Sequence, residues 1–177
     1  DEAISSYIFM NETEVKFRVK SFNAVRGKIK KLGGVCEWKG EERNYFFDTK
    51  DSALRKQKAT LRLRERENGP AALTIKITPE QDHGKYKVMR EYEITVSDVT
   101  ETARMLELLG FAQWFQYKKY REHWRLGKAH IELDVAGRLR FVEIEASKKK
   151  IDALAEALKL DWKNSTTKGY LFILNAR

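Results

Sequence analysis

The feature that most constrains this chain is an alternation of charged and apolar residues with period 2, repeated along most of its length. Side chains at i and i+2 of a β-strand point to one face. Glu12, Glu14, Lys16 and Arg18 therefore share a face, and Thr13, Val15, Phe17 and Val19 share the other. Arg62 and Arg64 oppose Leu61 and Leu63, and Thr74 and Lys76 oppose Leu73, Ile75 and Ile77. Glu91 and Glu93 oppose Tyr92, Ile94 and Val96. Lys119 and Arg121 lie two apart, Glu132 and Asp134 oppose Ile131 and Leu133, and Glu143 and Glu145 oppose Val142 and Ile144. Any one such strand reads plainly as part of an antiparallel sheet with one solvated face. The set asks for more. Acidic pairs recur, basic residues gather on other strands, and like charges side by side repel unless something offsets them. A divalent cation offsets carboxylates, and a polyanion offsets Lys and Arg.

The alternating segments lie near 12–19, 43–49, 59–67, 72–78, 87–96, 115–125, 129–134 and 139–145, with a last strand expected near 170–174. The loop Pro79–Gly84 is expected to join two of them as a hairpin. Helical spacing marks three other stretches. One opens at Ser21-Phe22-Asn23 and stops at Gly33-Gly34; a second opens at Ser97-Asp98 and stops at Gly110; a third runs from Ile151 to Leu158. Polar starts and Gly stops fit helix caps. The fold class is α+β, dominated by strands. If the sheet curls into a barrel, its charged face becomes the lumen and its apolar face points outward, where about three amphipathic helices can cover it. A weak repeat supports two similar halves. Glu12-Thr-Glu14 leads through a helix and Leu32-Gly33 to Trp38, and Glu91-Tyr-Glu93 leads through a helix and Leu109-Gly110 to Trp114.

Composition removes several alternatives. The 177 residues fit one domain over 10–177, with residues 1–9 expected to be an extension or cloning remnant. No apolar run approaches the ~20 residues of a membrane span. The single Cys36 excludes an internal disulfide and a Cys-based zinc site, so a reducing, cytoplasmic home is expected. His83, His123 and His130 lack zinc-like spacing; His83 reads as a loop residue and the other two as structural. Neither a Gly-rich phosphate loop nor a nucleophile turn is present. The formal net charge of +9 points to anionic partners without naming them. A lumen holding both carboxylates and cations suits a complex of a hard divalent ion with a polyphosphate.

These residues resemble the CYTH, or triphosphate tunnel metalloenzyme, superfamily. Glu12-Thr-Glu14-Val-Lys16 is similar to its E-x-E-x-K motif, Asn44–Thr49 to its aromatic-Asp strand, and Leu61–Arg64 to its L-R-x-R strand. Leu73–Lys76, Arg90–Glu93, Lys119–Arg121 and Phe141–Glu145 resemble the later strands in the same order, so the likeness runs from about residue 10 to the C-terminus. Two departures stand out: Lys168-Gly169-Tyr170 replaces the usual Ser-Tyr, and Leu139-Arg140-Phe141 lacks the usual Gly before Phe.

The resemblance implies a closed tunnel that binds a triphosphate with Mg2+ or Mn2+. It makes Glu12, Glu14, Glu143 and Glu145 metal ligands, with Glu91, Glu93 and Asp134 as ligands or their partners. It gives Lys16, Arg18, Arg62, Arg64, Lys76, Lys119 and Arg121 the phosphate oxygens. Lys76 or Tyr45 is the candidate to orient or deprotonate the attacking water. The expected function is metal-dependent hydrolysis of tripolyphosphate or of a nucleoside or thiamine triphosphate. The alternative within the superfamily is a class IV adenylate cyclase that converts ATP to cyclic AMP and diphosphate. An alternative of another class is a non-catalytic polyphosphate- or RNA-binding module, against which the acidic pairs stand. The expected partner is a triphosphate-containing small molecule, with neither membrane nor nucleic acid, and the chain is expected to be a monomer or homodimer.

Overall fold

Alternating strands bury their apolar side only if something covers it, and here the sheet closes on itself with helices outside. The computed structural model describes residues 10–79 and 84–175; residues 1–9 and most of the expected hairpin loop, including His83, lie outside them. The strands are β1 (Met10–Arg18), β2 (Val35–Thr49), β3 (Ala59–Arg66), β4 (Ala71–Ile77), β5 (Lys87–Val96), β6 (Phe111–Leu126), β7 (Ala129–Ala136), β8 (Leu139–Glu145) and the short β9 (Ser165–Thr166). The helices are α1 (Asn23–Lys31), α2 (Ala53–Lys56), α3 (Val99–Leu108), α4 (Lys148–Leu158) and α5 (Tyr170–Asn175). None of them is long and apolar enough to cross a membrane.

The strand order is β5-β4-β3-β2-β6-β7-β8-β1, and a further pairing of β1 with β5 closes the ring into an eight-stranded antiparallel barrel. β9 adds to β1 beyond the end of that last pairing. Exchanging β1 with β5, β2 with β6, β3 with β7 and β4 with β8 reproduces the same cyclic order, so the weak sequence repeat is a real two-fold feature of the topology. Its punctuation matches as well. α1 and α3 both end in a Leu followed by a glycine in the left-handed region, Gly33 at φ +85 and Gly110 at φ +90, where a Cβ would be strained.

The outward faces carry the core. Val15, Phe17, Ile131, Leu133, Val142 and Ile144 pack against Val25 and Ile29 of α1 and Ile151, Leu154 and Leu158 of α4. On the other side Phe47, Leu61 and Leu63 pack under Leu106 of α3. Asp48, in the strand resembling the aromatic-Asp motif, faces neither core nor lumen chemistry. Its carboxylate accepts from the backbone of Thr49, Leu54 and Arg55 and from the Arg55 side chain, which fixes the start of α2.

Two expectations change. The strand expected at 170–174 is the helix α5. Its run Leu171–Leu174 is apolar throughout, so period alone does not separate strand from helix. Tyr170, Ile173 and Leu174, at helical spacing, pack on Ala136 and Phe141 at the β7–β8 end of the barrel. β2 and β6 also begin earlier than expected, because they pair with each other along their length from Val35 with Arg125 to Thr49 with Phe111.

Candidate active site

The register brings the charged faces together around one cavity of about 900 Å³ inside the barrel. On the acidic side, β1 places Glu12 and Glu14 beside Glu143 of β8. A carboxylate oxygen from each lies within 4.8 Å of the others, and all three residues are buried. Glu145 lines the cavity next to this group, since β8 pairs it with Glu14. On the basic side, Lys16, Arg62, Arg64, Lys76, Lys119 and Arg121 all line the same cavity.

Fixed ion pairs hold this arrangement. Lys16 Nζ is 2.7 Å from Glu14 and 2.9 Å from Glu143. Lys76 bonds Glu12 and lies 2.9 Å from Glu91. Arg64 Nη2 donates to Glu93 at 2.8 Å, and Thr74 donates to the same carboxylate. Arg121 grips Asp134 through two bonds, 2.7 and 2.6 Å; Lys119 adds a third at 3.1 Å, and the Tyr170 hydroxyl a fourth at 2.8 Å.

The electrostatics show what each side lacks. Burial, reinforced by the Glu14 carboxylate, pushes Glu12 up to about 9. Burial pushes Glu145 up to about 7. Glu14 goes the other way. Burial opposes its charge, but Lys16, Lys87 and Lys76 outweigh it and hold it well below the usual carboxylate range. Across the lumen, burial and the neighbouring Arg62 bring Arg64 down to about 10. The buried Nε atoms of Arg62 and Arg64 have no hydrogen-bond partner. Glu12 and Arg64 each sit buried beside a like charge, Glu14 and Arg62 respectively, which an opposite charge in the cavity would relieve. Each set is partly matched across the lumen, the acidic group by Lys16, Lys76 and Lys87 and the arginines by Glu91 and Glu93. A three-carboxylate group of this kind has the hard oxygen donors that Mg2+ or Mn2+ requires, so the residues present fit a divalent metal.

Several expected site residues stand elsewhere. Arg18 is exposed and absent from the cavity wall, because β1 ends there, beyond the lumen. Tyr45 points outward with Phe47, joins the core under α3 and donates its hydroxyl to Glu65, so it cannot reach a water in the lumen. Asp134 is fully buried with both oxygens occupied by Arg121, Lys119 and Tyr170; it positions cations rather than joining the acidic group. Glu91 and Glu93 line the cavity but are spent on Lys76 and Arg64. Lys76 itself carries charge firmly. Burial opposes that charge, yet Glu12 and Glu91 keep its pKa above the usual lysine value.

Other lumen residues were not singled out. Lys87, in step with Glu91 and Glu93, bonds Glu14 at 2.9 Å. Arg66, in step with Arg62 and Arg64, lines the cavity and lies 3.4 Å from the buried Glu42. Strand parity alone places both. His123 and His130 also line the cavity, as do Tyr117 and Tyr170.

Comparison with known proteins fits this geometry. Residues 10–170 match the CYTH domain profile. The chain belongs to the CYTH family. CYTH proteins are metal-dependent triphosphatases or class IV adenylate cyclases. A Methanocaldococcus jannaschii protein, named provisionally as an adenylate cyclase, is 29% identical over 92% of this chain and 97% of its own. The crystal structure of a Vibrio parahaemolyticus protein, also named provisionally as an adenylate cyclase, superposes with a TM-score of 0.84 at 26% identity, covering 94% of this chain and 98% of that one. A Hippeastrum protein, named provisionally as an adenylyl cyclase and described as having a dominant triphosphatase activity, shares the fold, with a TM-score of 0.69 at 17% identity over 93% of this chain and 95% of that one.

Proposed function

We propose that this CYTH protein hydrolyses the triphosphate group of a small molecule inside its barrel, with a divalent metal held by Glu12, Glu14 and Glu143 and assisted by Glu145. The observation that carries the reading is the division of the lumen: three buried carboxylates that approach within 4.8 Å of one another share one cavity with a bank of arginines and lysines. A triphosphate with its metal meets both sides at once.

The chain's own residues have distinct tasks. Arg62 and Arg64 line the cavity with guanidiniums, the group best shaped to hold phosphate oxygens. Lys16, Lys119 and Arg121 are locked by Glu14, Glu143 and Asp134, so the clamp is ordered before substrate arrives. Lys76 adds a fixed positive charge. When bound, the metal supplies charge neutralisation and an acidified water. Phosphoryl transfer asks a protein mainly for such positioning and charge. The names of the relatives favour a second reading, in which the ribose 3′-oxygen of ATP attacks the α-phosphorus and cyclic AMP leaves with diphosphate.

A product assay separates the two. The protein is incubated with ATP, and separately with tripolyphosphate, under Mg2+, Mn2+ or excess chelator. Orthophosphate abolished by chelator is the expected result. Cyclic AMP with diphosphate establishes the cyclase reading, and turnover that survives the chelator overturns the metal assignment.

A further inference from the structure

Glu42 is a fully buried carboxylate on β2, apart from the acidic triad. The register sets it between two cations, with Arg66 of β3 on one side and Lys119 of β6 on the other. One of its oxygens is 3.4 Å from Lys119 Nζ and accepts from the Asn44 amide at 3.2 Å; the other is 3.4 Å from Arg66 Nε. Arg66 and Lys119 line the cavity, and Glu42 stands behind them, where no ligand reaches it. Burial opposes its charge, but Lys119, Arg121, Arg64 and Arg62 outweigh burial and hold Glu42 well below the usual carboxylate range. The carboxylate is therefore charged, and it faces the cations of the clamp from the rear.

Other groups fix the directions of those cations. Asp134 holds Arg121 and Lys119, and Glu93 accepts from Arg64. Arg62 lies 3.8 Å from Glu91 and 3.7 Å from Glu93, and Arg66 lies over the Trp38 ring. The contacts of Glu42 are long beside the bonds of Asp134, so it contributes charge more than orientation. A fixed negative charge behind a cationic wall lowers the pull of that wall on an anion in front of it. We propose that Glu42 sets the affinity of the clamp, holding down its grip on phosphate oxygens so that the cleaved products leave. This rests on the triphosphate reading given above and extends it to the release of products. Extra grip on substrate and product alike lowers KM without raising kcat, and it slows departure.

The test is titration calorimetry of tripolyphosphate with Mg2+, at a salt concentration that suppresses surface binding, on the wild type, Glu42→Gln and Glu42→Asp. Glu42→Gln removes the charge and keeps the shape; its Kd is expected to be roughly ten-fold tighter, and inhibition by orthophosphate tighter with it. In turnover its KM falls while its kcat does not rise. Glu42→Asp keeps the charge and is expected to bind within about two-fold of the wild type. A carboxylate that served the fold alone gives unchanged or weaker binding in Glu42→Gln, and either result overturns the inference while the triphosphate reading stands. If Glu42→Gln does not fold, the same change is made in Arg66→Gln, which removes the cation paired with Glu42. The double variant is then expected to bind roughly ten-fold tighter than Arg66→Gln, and equal or weaker binding overturns the inference. Failure of the wild type to bind tripolyphosphate with Mg2+ overturns the triphosphate reading itself.

Discussion

Glu12 and Glu14 are two residues apart on one strand face, yet the lumen treats them oppositely. Glu14 is a paired carboxylate between Lys16 and Lys87. Glu12 is an acid whose proton is held by burial and by Glu14. Glu14→Gln therefore takes a carboxylate from the half-buried Lys87 and one of two from the buried Lys16, which keeps Glu143, and is expected to cost about 2 kcal/mol in chelator. Glu12→Gln keeps an acceptor for Lys76, which retains Glu91 as its carboxylate partner, and its unfolding free energy in chelator is expected to stay within about 1 kcal/mol of wild type. Both should weaken metal binding by orders of magnitude. Equal stability losses in denaturant titrations would contradict the assignment of the two roles.

The same protonation sets a pH dependence. A carboxyl whose folded pKa is raised contributes stability below its unfolded value and loses it as pH climbs to the folded value. For Glu12 the window runs from the ordinary 4.5 to about 9, and for Glu145 it runs to about 7. Metal takes the deprotonated carboxylates, so its stabilisation grows over the range in which the metal-free protein weakens. The difference in Tm between saturating Mn2+ and chelator should be larger at pH 8.5 than at pH 6. A constant difference would remove the linkage between these acids and the metal.

At the scale of elements, the two-fold repeat makes a paired prediction. Gly33 and Gly110 hold equivalent left-handed positions after α1 and α3, and neither has a neighbour that an added Cβ would meet. Gly33→Ala and Gly110→Ala should each cost about 1–2 kcal/mol through backbone strain alone. Markedly different costs would mean that the two turns are not equivalent.

Strand parity made most of this legible in the sequence. It placed Glu12, Glu14, Lys16, Arg62, Arg64, Lys119 and Glu143 on the lumen face because alternation holds through the barrel wall at these positions, away from the two irregularities of the β2–β6 pairing. Parity also argues against Tyr45, which alternates with the lumen-facing Asn44 and Phe46. It was silent on Arg18, because alternation continues to the end of β1 while the barrel does not. It could not show that Asp134 is saturated by Arg121, Lys119 and Tyr170, since the partners come from three separate elements. Nor could it show that His123 and His130 stack, since that depends on the β6–β7 register.

For the whole molecule, the formal charge of +9 and the lumen describe different things. Lumen cations are largely matched by lumen carboxylates, whereas Lys30, Lys31, Lys39 and Lys149 lie on exposed positions. Binding of a polyanion to the outer surface needs no metal and weakens steeply with salt. Binding in the barrel needs the metal to cancel the acidic triad, and needs Arg64 to meet the phosphates.

Titration of tripolyphosphate into the protein with Mg2+, with chelator, and into Arg64→Ala with Mg2+ therefore tests the central claim most directly. The account predicts saturable binding with Mg2+, loss of that binding in chelator, and a roughly 10- to 100-fold weaker Kd in Arg64→Ala. Equal binding in chelator, unaffected by Arg64→Ala and falling steeply with salt, would place the polyanion on the outside of the barrel and contradict it.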